Sequence, residues 1–230
     1  MALTTNLVSY YKFDGGATDS SASNDLTVDG ATNNASYGKI NQGYDFDGTN
    51  DKLYRNNLMG GDTNFTVSLW WYENTLANSD GLISECPIGS GGTTAGWSIW
   101  SYNGDVTLSN SNGTTVQQND IATGVSATTW HHLVMVKSGT TVTAYLDGTA
   151  QTAVTSLDFG TSTQVLNIGL SNRFNNSEWT YSDMWFDGYM DEVGLWDRAL
   201  TSTEVGELYN SGSGKQYPFT VISSNFFQLF

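Results

Sequence analysis

Between Ser171 and Asp187 the chain reads SNRFNNSEWTYSDMWFD, the densest mixture in the sequence of groups suited to a polyhydroxy ligand. Sugar recognition needs an aromatic face against the apolar side of the ring, with amide, carboxylate or guanidinium groups for the hydroxyls. Arg173, Asn175, Trp179 and Tyr181 supply both kinds, with Asn176 and Trp185 beside them. A lone tryptophan is most often core packing. Trp179 and Tyr181 stand in a polar context where burial is harder to arrange, and Trp100 with Tyr102 is a rival pair.

Catalytic chemistry finds less support. Glycoside hydrolysis takes two carboxyls roughly 5–10 Å apart across a cleft. Asp191 and Glu192 are neighbours, which in a regular strand point to opposite faces, and Glu73 and Glu85 stand alone. His131 and His132 alternate in the same way and cannot chelate together, and hydrolytic zinc lacks its His or Cys set. Neither a Gly-x-Ser-x-Gly elbow nor a P-loop or dinucleotide fingerprint occurs. No catalytic residue is expected, and the chain reads as one that binds.

The elements positioning these groups are strands. From Phe65 to Tyr72, Phe65, Val67, Leu69 and Trp71 share one face and Thr66, Ser68, Trp70 and Tyr72 the other, a second packing layer or a binding face. Leu7 to Phe13 reads as a first strand with Leu7, Tyr11 and Phe13 on one side and Val8 and Tyr10 on the other. Leu133 to Val136 and Val142 to Leu146 flank Ser138-Gly139-Thr140 as a hairpin. From Tyr189 to Trp196, Tyr189, Val193 and Leu195 share one parity and Met190 and Trp196 the other, as a strand covered on both sides requires. Thr201, three residues before Glu204, forms a capping box, Val205, Leu208 and Tyr209 give a short helix one apolar stripe, and Gly212 stands where the helix should stop. The expected fold is all-β, an antiparallel two-sheet sandwich with one short C-terminal helix, in a single domain over residues 1–214.

Gly188, Asp191-Glu192-Val193, Trp196, Arg198-Ala199-Leu200, Thr201 to Glu204 and Leu208-Tyr209 together resemble the closing motif of laminin-G-like domains of the concanavalin A-like jelly-roll superfamily. Four further stretches agree in order: Phe46-Asp47-Gly48 with Asp51, Phe65 to Trp70, Trp130 to Val134, and Tyr145-Leu146-Asp147-Gly148. The resemblance implies a structural calcium ion pinning the first loop to the last strand, held by Asp19, Asn24 and Asp191, although Ala22 and Ser23 stand where the family usually has glycine. It also implies that a β-glucanase would carry Glu-x-Asp-x-Glu along one strand, a spacing absent here.

With 23 acidic against 8 basic residues, a net charge of −15 disfavours nucleic acid. One cysteine, Cys86, excludes an internal disulfide, so stability must come from burial. MALTTNLVS has neither the basic nor the apolar part of a signal peptide, and no run approaches a membrane span. Since the family works in extracellular settings, these facts suggest a bacteriophage virion protein, a capsid decoration or tail-fibre component with glycan affinity and other virion proteins as partners. The alternative is an extracellular module of a bacterial adhesin or polysaccharide-degrading protein. The apolar tail over residues 215–230, KQYPFTVISSNFFQLF, is expected either to cover an open sheet edge or to mediate association, including homo-oligomers.

Overall fold

The computed structural model describes residues 2–56, 58–59, 63–88, 93–172, 174–175, 178–179 and 183–219. In chain order the strands are β1 (Leu7–Tyr11), β2 (Thr27–Asp29), β3 (Thr32–Asn34), β4 (Gly43–Asp47), β5 (Lys52–Arg55), β6 (Asn64–Glu73), β7 (Asp80–Glu85), β8 (Gly96–Tyr102), β9 (Asp105–Ser111) and β10 (Val116–Thr123). They continue as β11 (Trp130–Ser138), β12 (Thr141–Leu146), β13 (Thr149–Ala150), β14 (Leu166–Ile168), β15 (Leu170–Ser171), β16 (Phe174–Asn175), β17 (Glu178–Trp179), β18 (Met184–Trp185) and β19 (Asp187–Trp196), before helix α1 (Ser202–Tyr209).

Two antiparallel sheets stack face to face. The first is eight-stranded, in the order β13-β12-β11-β6-β19-β4-β3 with β1 also paired to β19; the second is seven-stranded, in the order β10-β9-β8-β7-β14-β5-β2. Alternation decides what lies between them. Phe65, Val67, Leu69 and Trp71 of β6 meet Ile83, Trp97, Ile99 and Leu108 of the second sheet in one dry core. The hairpin β11–β12 forms as its turn residues predict.

The outer face of the first sheet is a second packing layer along most of its length. Trp70 stacks with His132, at 4.7 Å, and with Tyr209 of α1, at 5.8 Å, and those two rings also stack with each other at 6.0 Å. Tyr72, one row further on, is only half-buried and stacks on Tyr189. The capping box at Thr201 and Glu204 forms as expected, but the helix ends at Asn210, which takes the left-handed conformation, two residues before Gly212.

Two strands depart from simple alternation. In β19 a bulge at Glu192, with φ of 52°, shifts the register between Asp191 and Gly194. Met190, Val193 and Leu195 therefore all reach the core, while Tyr189 and Trp196 face outward, so the expected parity holds only up to the bulge. In β1 a register shift between Leu7 and Ser9 puts Leu7 and Tyr10 in the outer cluster with Trp196, and Val8, Tyr11 and Phe13 against the core. The tail begins as part of this outer layer: Tyr217 and Phe219 pack on Tyr10 with ring centroids 6.1 and 5.1 Å away. Residues 220–230 lie outside the described residues.

Candidate functional site

Across the outer face of the seven-stranded sheet, Tyr54, Asn167, Ser84, Ser98, Ser109 and Gln118 stand side by side on neighbouring strands. They face outward because Leu53, Leu166, Ile168, Ile83, Ile99 and Leu108 occupy the inward positions. Just after β14, residues 170–172 lie down on the middle of this polar row. Ser84 Oγ donates to the Leu170 carbonyl at 2.9 Å, Ser98 Oγ to the Asn172 carbonyl at 2.6 Å, and Asn172 Nδ2 to the Pro87 carbonyl at 2.8 Å. Gly81 makes the approach possible, since a Cβ there would run into the Ser171 amide and the Met184 carbonyl.

At the β5–β14 end the row is not covered. It opens into a cleft of about 440 Å³ lined by Asp29, Lys52, Tyr54, Ile88, Gln164 and Asn167 among others. Lys52 Nζ lies 3.3 Å from Asp29 Oδ2, 5.5 Å from the centre of the Tyr54 ring and 5.6 Å from that of Trp185 on β18. The Tyr54 ring, an amide on β14, a second amide at Gln164 and an ion pair thus meet in one concave space, with the Trp185 ring beside the lysine. That set can stack a sugar ring and hydrogen-bond its hydroxyls.

Of the connection read from sequence as the sugar-contacting stretch, Trp185 comes nearest this cleft, its ring beside Lys52. The connection's backbone folds in part as β16 and β17, pairing Phe174 with Trp179 and Asn175 with Glu178. Arg173, Asn176 and Tyr181, and the side chains of Asn175 and Trp179, lie outside the described residues. Trp185 is half-buried beside the cleft. Of the rival pair, Trp100 is 5% exposed and donates through Nε1 to Ser109 Oγ at 3.1 Å, whereas Tyr102 is 47% exposed. Sequence reasoning passed over Lys52, Tyr54, Gln164 and Asn167. The available signal was a single amide between two core aliphatics, Leu166-Asn167-Ile168, and the ring opposite it in register.

The three residues expected to hold calcium serve different sets of contacts. Asp19 Oδ1 accepts from the amides of Tyr10, Ser21 and Ala22 and from Ser21 Oγ, and Oδ2 accepts from the Asn24 amide. Burial alone would raise its carboxyl, but the hydrogen bonds from Ser21 and Tyr10 outweigh it and hold Asp19 below the usual range. Asn24 Nδ2 donates to the Val8 carbonyl at 3.1 Å and to Ser9 Oγ at 2.9 Å. Asp191 accepts from the amides of Ile40 and Glu192, each at 2.8 Å, and burial with the neighbouring Glu192 carboxyl pushes it up to about 9. A calcium ion asks for six to eight oxygens with lone pairs to spare. Asp19, Asn24 and Asp191 as they stand do not fit one, and among the described residues no three His, Cys, Asp or Glu side chains are grouped to hold a metal ion.

The bulge also overturns the expectation that Asp191 and Glu192 point apart. Both carboxyls lie on the outer side of the sheet, with Glu192 accepting from Tyr10 Oη at 2.6 Å and from Gln216 Nε2 at 2.7 Å. Nor does Glu73 stand alone: it is hydrogen-bonded to Asp80, both 1% exposed between the sheets, where no glycan can reach. His131 and His132 do face opposite ways, toward Trp71 and Trp70. His131 Nδ1 lies 2.7 Å from Asp147 Oδ2, and its Nε2 lies 3.2 Å from both the hydroxyl and the amide nitrogen of Ser126. The order of groups is that of a hydrolase triad, but the Ser126 amide takes the lone pair that a general base would need, so the arrangement pins a loop.

Comparison with known proteins agrees with this architecture. No curated protein matches the sequence. Among solved structures, domain 4 of AbnA, an extracellular arabinanase of Geobacillus stearothermophilus in complex with arabinotriose, superposes with a TM-score of 0.68 at 19% identity over 91% of this chain and 98% of that one. The binding domain of Paraclostridial Mosquitocidal Protein 1 gives 0.69 at 18% identity over 92% of this chain, and the receptor-binding domain of botulinum neurotoxin D gives 0.67 at 14% over 92%. This chain spans about half the length of those two, 53% and 54%. At such identities the likeness is one of fold. The sequence itself carries the family, because the model described as the concanavalin A-like lectin/glucanases superfamily matches residues 46–206. The chain belongs to the Laminin_G_3 family of that superfamily.

Proposed function

We propose that this domain is a non-catalytic glycan-binding module whose ligand lies in the cleft between β5 and β14, beside the paired strands β15 and β18. The observation that carries the reading is the convergence of Tyr54, Asn167, Gln164 and the Lys52–Asp29 pair on one open cleft of about 440 Å³, with the Trp185 ring beside Lys52. The acids outside it serve folding: the Glu73–Asp80 pair is sealed between the sheets, and the Asp19 oxygens accept from loop donors. In the same spirit we propose that the Asp19 and Asp191 carboxyls do by direct hydrogen bonding what a calcium ion would do in the position the family resemblance implies. That one solved neighbour is a domain in complex with arabinotriose supports the choice of that sugar as a first probe.

As the biological setting we propose a virion surface, in a capsid decoration or tail-fibre role beside other virion proteins; detection in purified particles tests it, and absence from them returns the module to an extracellular adhesin or polysaccharide-degrading protein. The binding reading is tested with a glycan array and arabinotriose titration on the wild type and Tyr54→Ala. Saturable capture that the substitution weakens at least tenfold, with an unchanged melting curve, is the expected result. Capture indifferent to Tyr54, or release of reducing ends from the probes, overturns it.

A further inference from the structure

Resting on the cleft reading, we infer that Lys52 selects glycans bearing a carboxylate, such as uronic acid residues, and serves as the cation that receives them. The protein has 8 basic residues against 23 acidic ones, and this one stands inside the candidate site. Its ammonium lies 5.5 Å from the Tyr54 ring centre and 5.6 Å from that of Trp185, within reach of both for cation–π attraction. The lysine thus stands beside both rings, so a sugar resting in the cleft meets its charge. A ligand entering the cleft meets a held positive charge before it meets a free aromatic platform.

The present counter-ion is replaceable. Asp29 sits on the outermost strand of its sheet, its side chain is 58% exposed, and its oxygen is 3.3 Å from Lys52 Nζ. An exposed pair of this kind contributes little and exchanges partners readily. Asn167 and Gln164 line the same space and would serve the hydroxyls. A carboxylate carried by a pyranose can therefore replace Asp29 at the ammonium while the ring rests against the cleft wall. The aromatic contacts on Lys52 hold the cation in place during the exchange.

A matched pair of probes isolates the charge: a short oligogalacturonate and its fully methyl-esterified form, titrated calorimetrically at fixed ionic strength. Wild type should bind the acid at least tenfold more tightly than the ester. Lys52→Met, which keeps the apolar stem, should bring the two within about twofold, and Asp29→Asn, which removes the competing carboxylate, should widen the preference for the acid over the ester. Equal affinity of wild type for both probes, a preference surviving Lys52→Met, or no binding of the acid overturns the inference. Its failure is separable from that of the cleft: if Tyr54→Ala still abolishes arabinotriose capture, the glycan site stands and only its selectivity is wrong.

Discussion

Glu73, at the end of β6 in one sheet, and Asp80, at the start of β7 in the other, share a hydrogen bond between their carboxyls with both side chains buried. Two adjacent carboxyls in a dry space hold a proton between them, because charging both leaves like charges unscreened. Burial and the Glu73 partner push Asp80 up to about 8. Ser101 Oγ, from the second sheet, donates to Glu73 Oε1 at 2.9 Å and closes the link. The two sheets thus meet at this corner through a carboxyl pair that is most favourable while one member is protonated.

The consequence for stability has a definite sign. Between the unfolded value near 4 and the folded value near 8, the native state keeps a proton that the unfolded chain has lost, so stability falls as pH rises through that window. Glu192, raised by burial to about 7, and Asp191, raised to about 9, act in the same direction. The melting temperature should be highest in mildly acidic buffer and lower by roughly 5 °C or more at pH 9, taking a few kcal/mol and the usual slope for a domain of this size. Glu73→Gln should flatten the profile. A melting temperature that climbs from pH 5 to pH 9 would contradict the shared proton.

At the acid end a different contact gives way. Arg198 donates to both Glu204 oxygens, at 2.7 and 2.9 Å, and also to the carbonyls of Ala2 and Thr5, tying α1 to the chain's beginning. Burial works against the Glu204 charge, yet the hydrogen bonds from Arg198 and Thr201 bring it down to about 2. This contribution is full above the unfolded value near 4.5 and is lost as pH falls through about 2. Arg198→Met takes the guanidinium away from a buried carboxylate and should destabilise by about 3–5 kcal/mol. Urea titration followed by tryptophan emission measures it, since Trp70 lies under α1.

Calcium provides a direct check on the first loop. An ion that binds only the folded state raises the melting temperature with its concentration. With Asp19 satisfied by loop donors and Asp191 by two amides, millimolar calcium and excess EDTA should give superimposable curves. Asp191→Ala should cost about 1–3 kcal/mol by leaving the Ile40 and Glu192 amides without acceptors, equally in both buffers. A calcium-dependent rise of several degrees would place an ion in this loop after all.

The sequence exposes what alternation and capping control. The core face of β6, the β11–β12 hairpin and the Thr201–Glu204 box were readable because each depends on residues near one another in the chain. Alternation failed at Glu192, where one extra residue in β19 reverses every later side chain and the residue is not one that advertises a positive φ. The cleft was only half visible for a related reason. Trp185 and its neighbours attracted notice as a cluster, but the residues opposite them, Lys52, Tyr54 and Asn167, come from strands brought together by long-range pairing. A lysine and a tyrosine in a short alternating strand look like solvent-facing filler until the Trp185 ring is placed beside the lysine.

That packing makes a position remote from any sugar contact decisive for binding. Gly81 lies beneath the connection, and a methyl group there would meet the Ser171 amide and Met184 carbonyl, which belong to the pair β15–β18. These are backbone atoms, so they cannot swing aside as a side chain would, and the small sheet must lift. Lifting it moves Leu170, which lines the cleft, and the Trp185 ring beside Lys52 away from Lys52 and Tyr54 on β5. Gly81→Ala should therefore destabilise by about 1–3 kcal/mol, the usual penalty for overpacking, and weaken glycan capture at least tenfold with every ligand-facing side chain intact. Tyr102→Ala, an exposed change on β8 of the same sheet, should do neither. Undiminished capture by a folded Gly81→Ala protein would show that the ligand does not depend on the seating of the connection, and with that the cleft would lose its standing as the site.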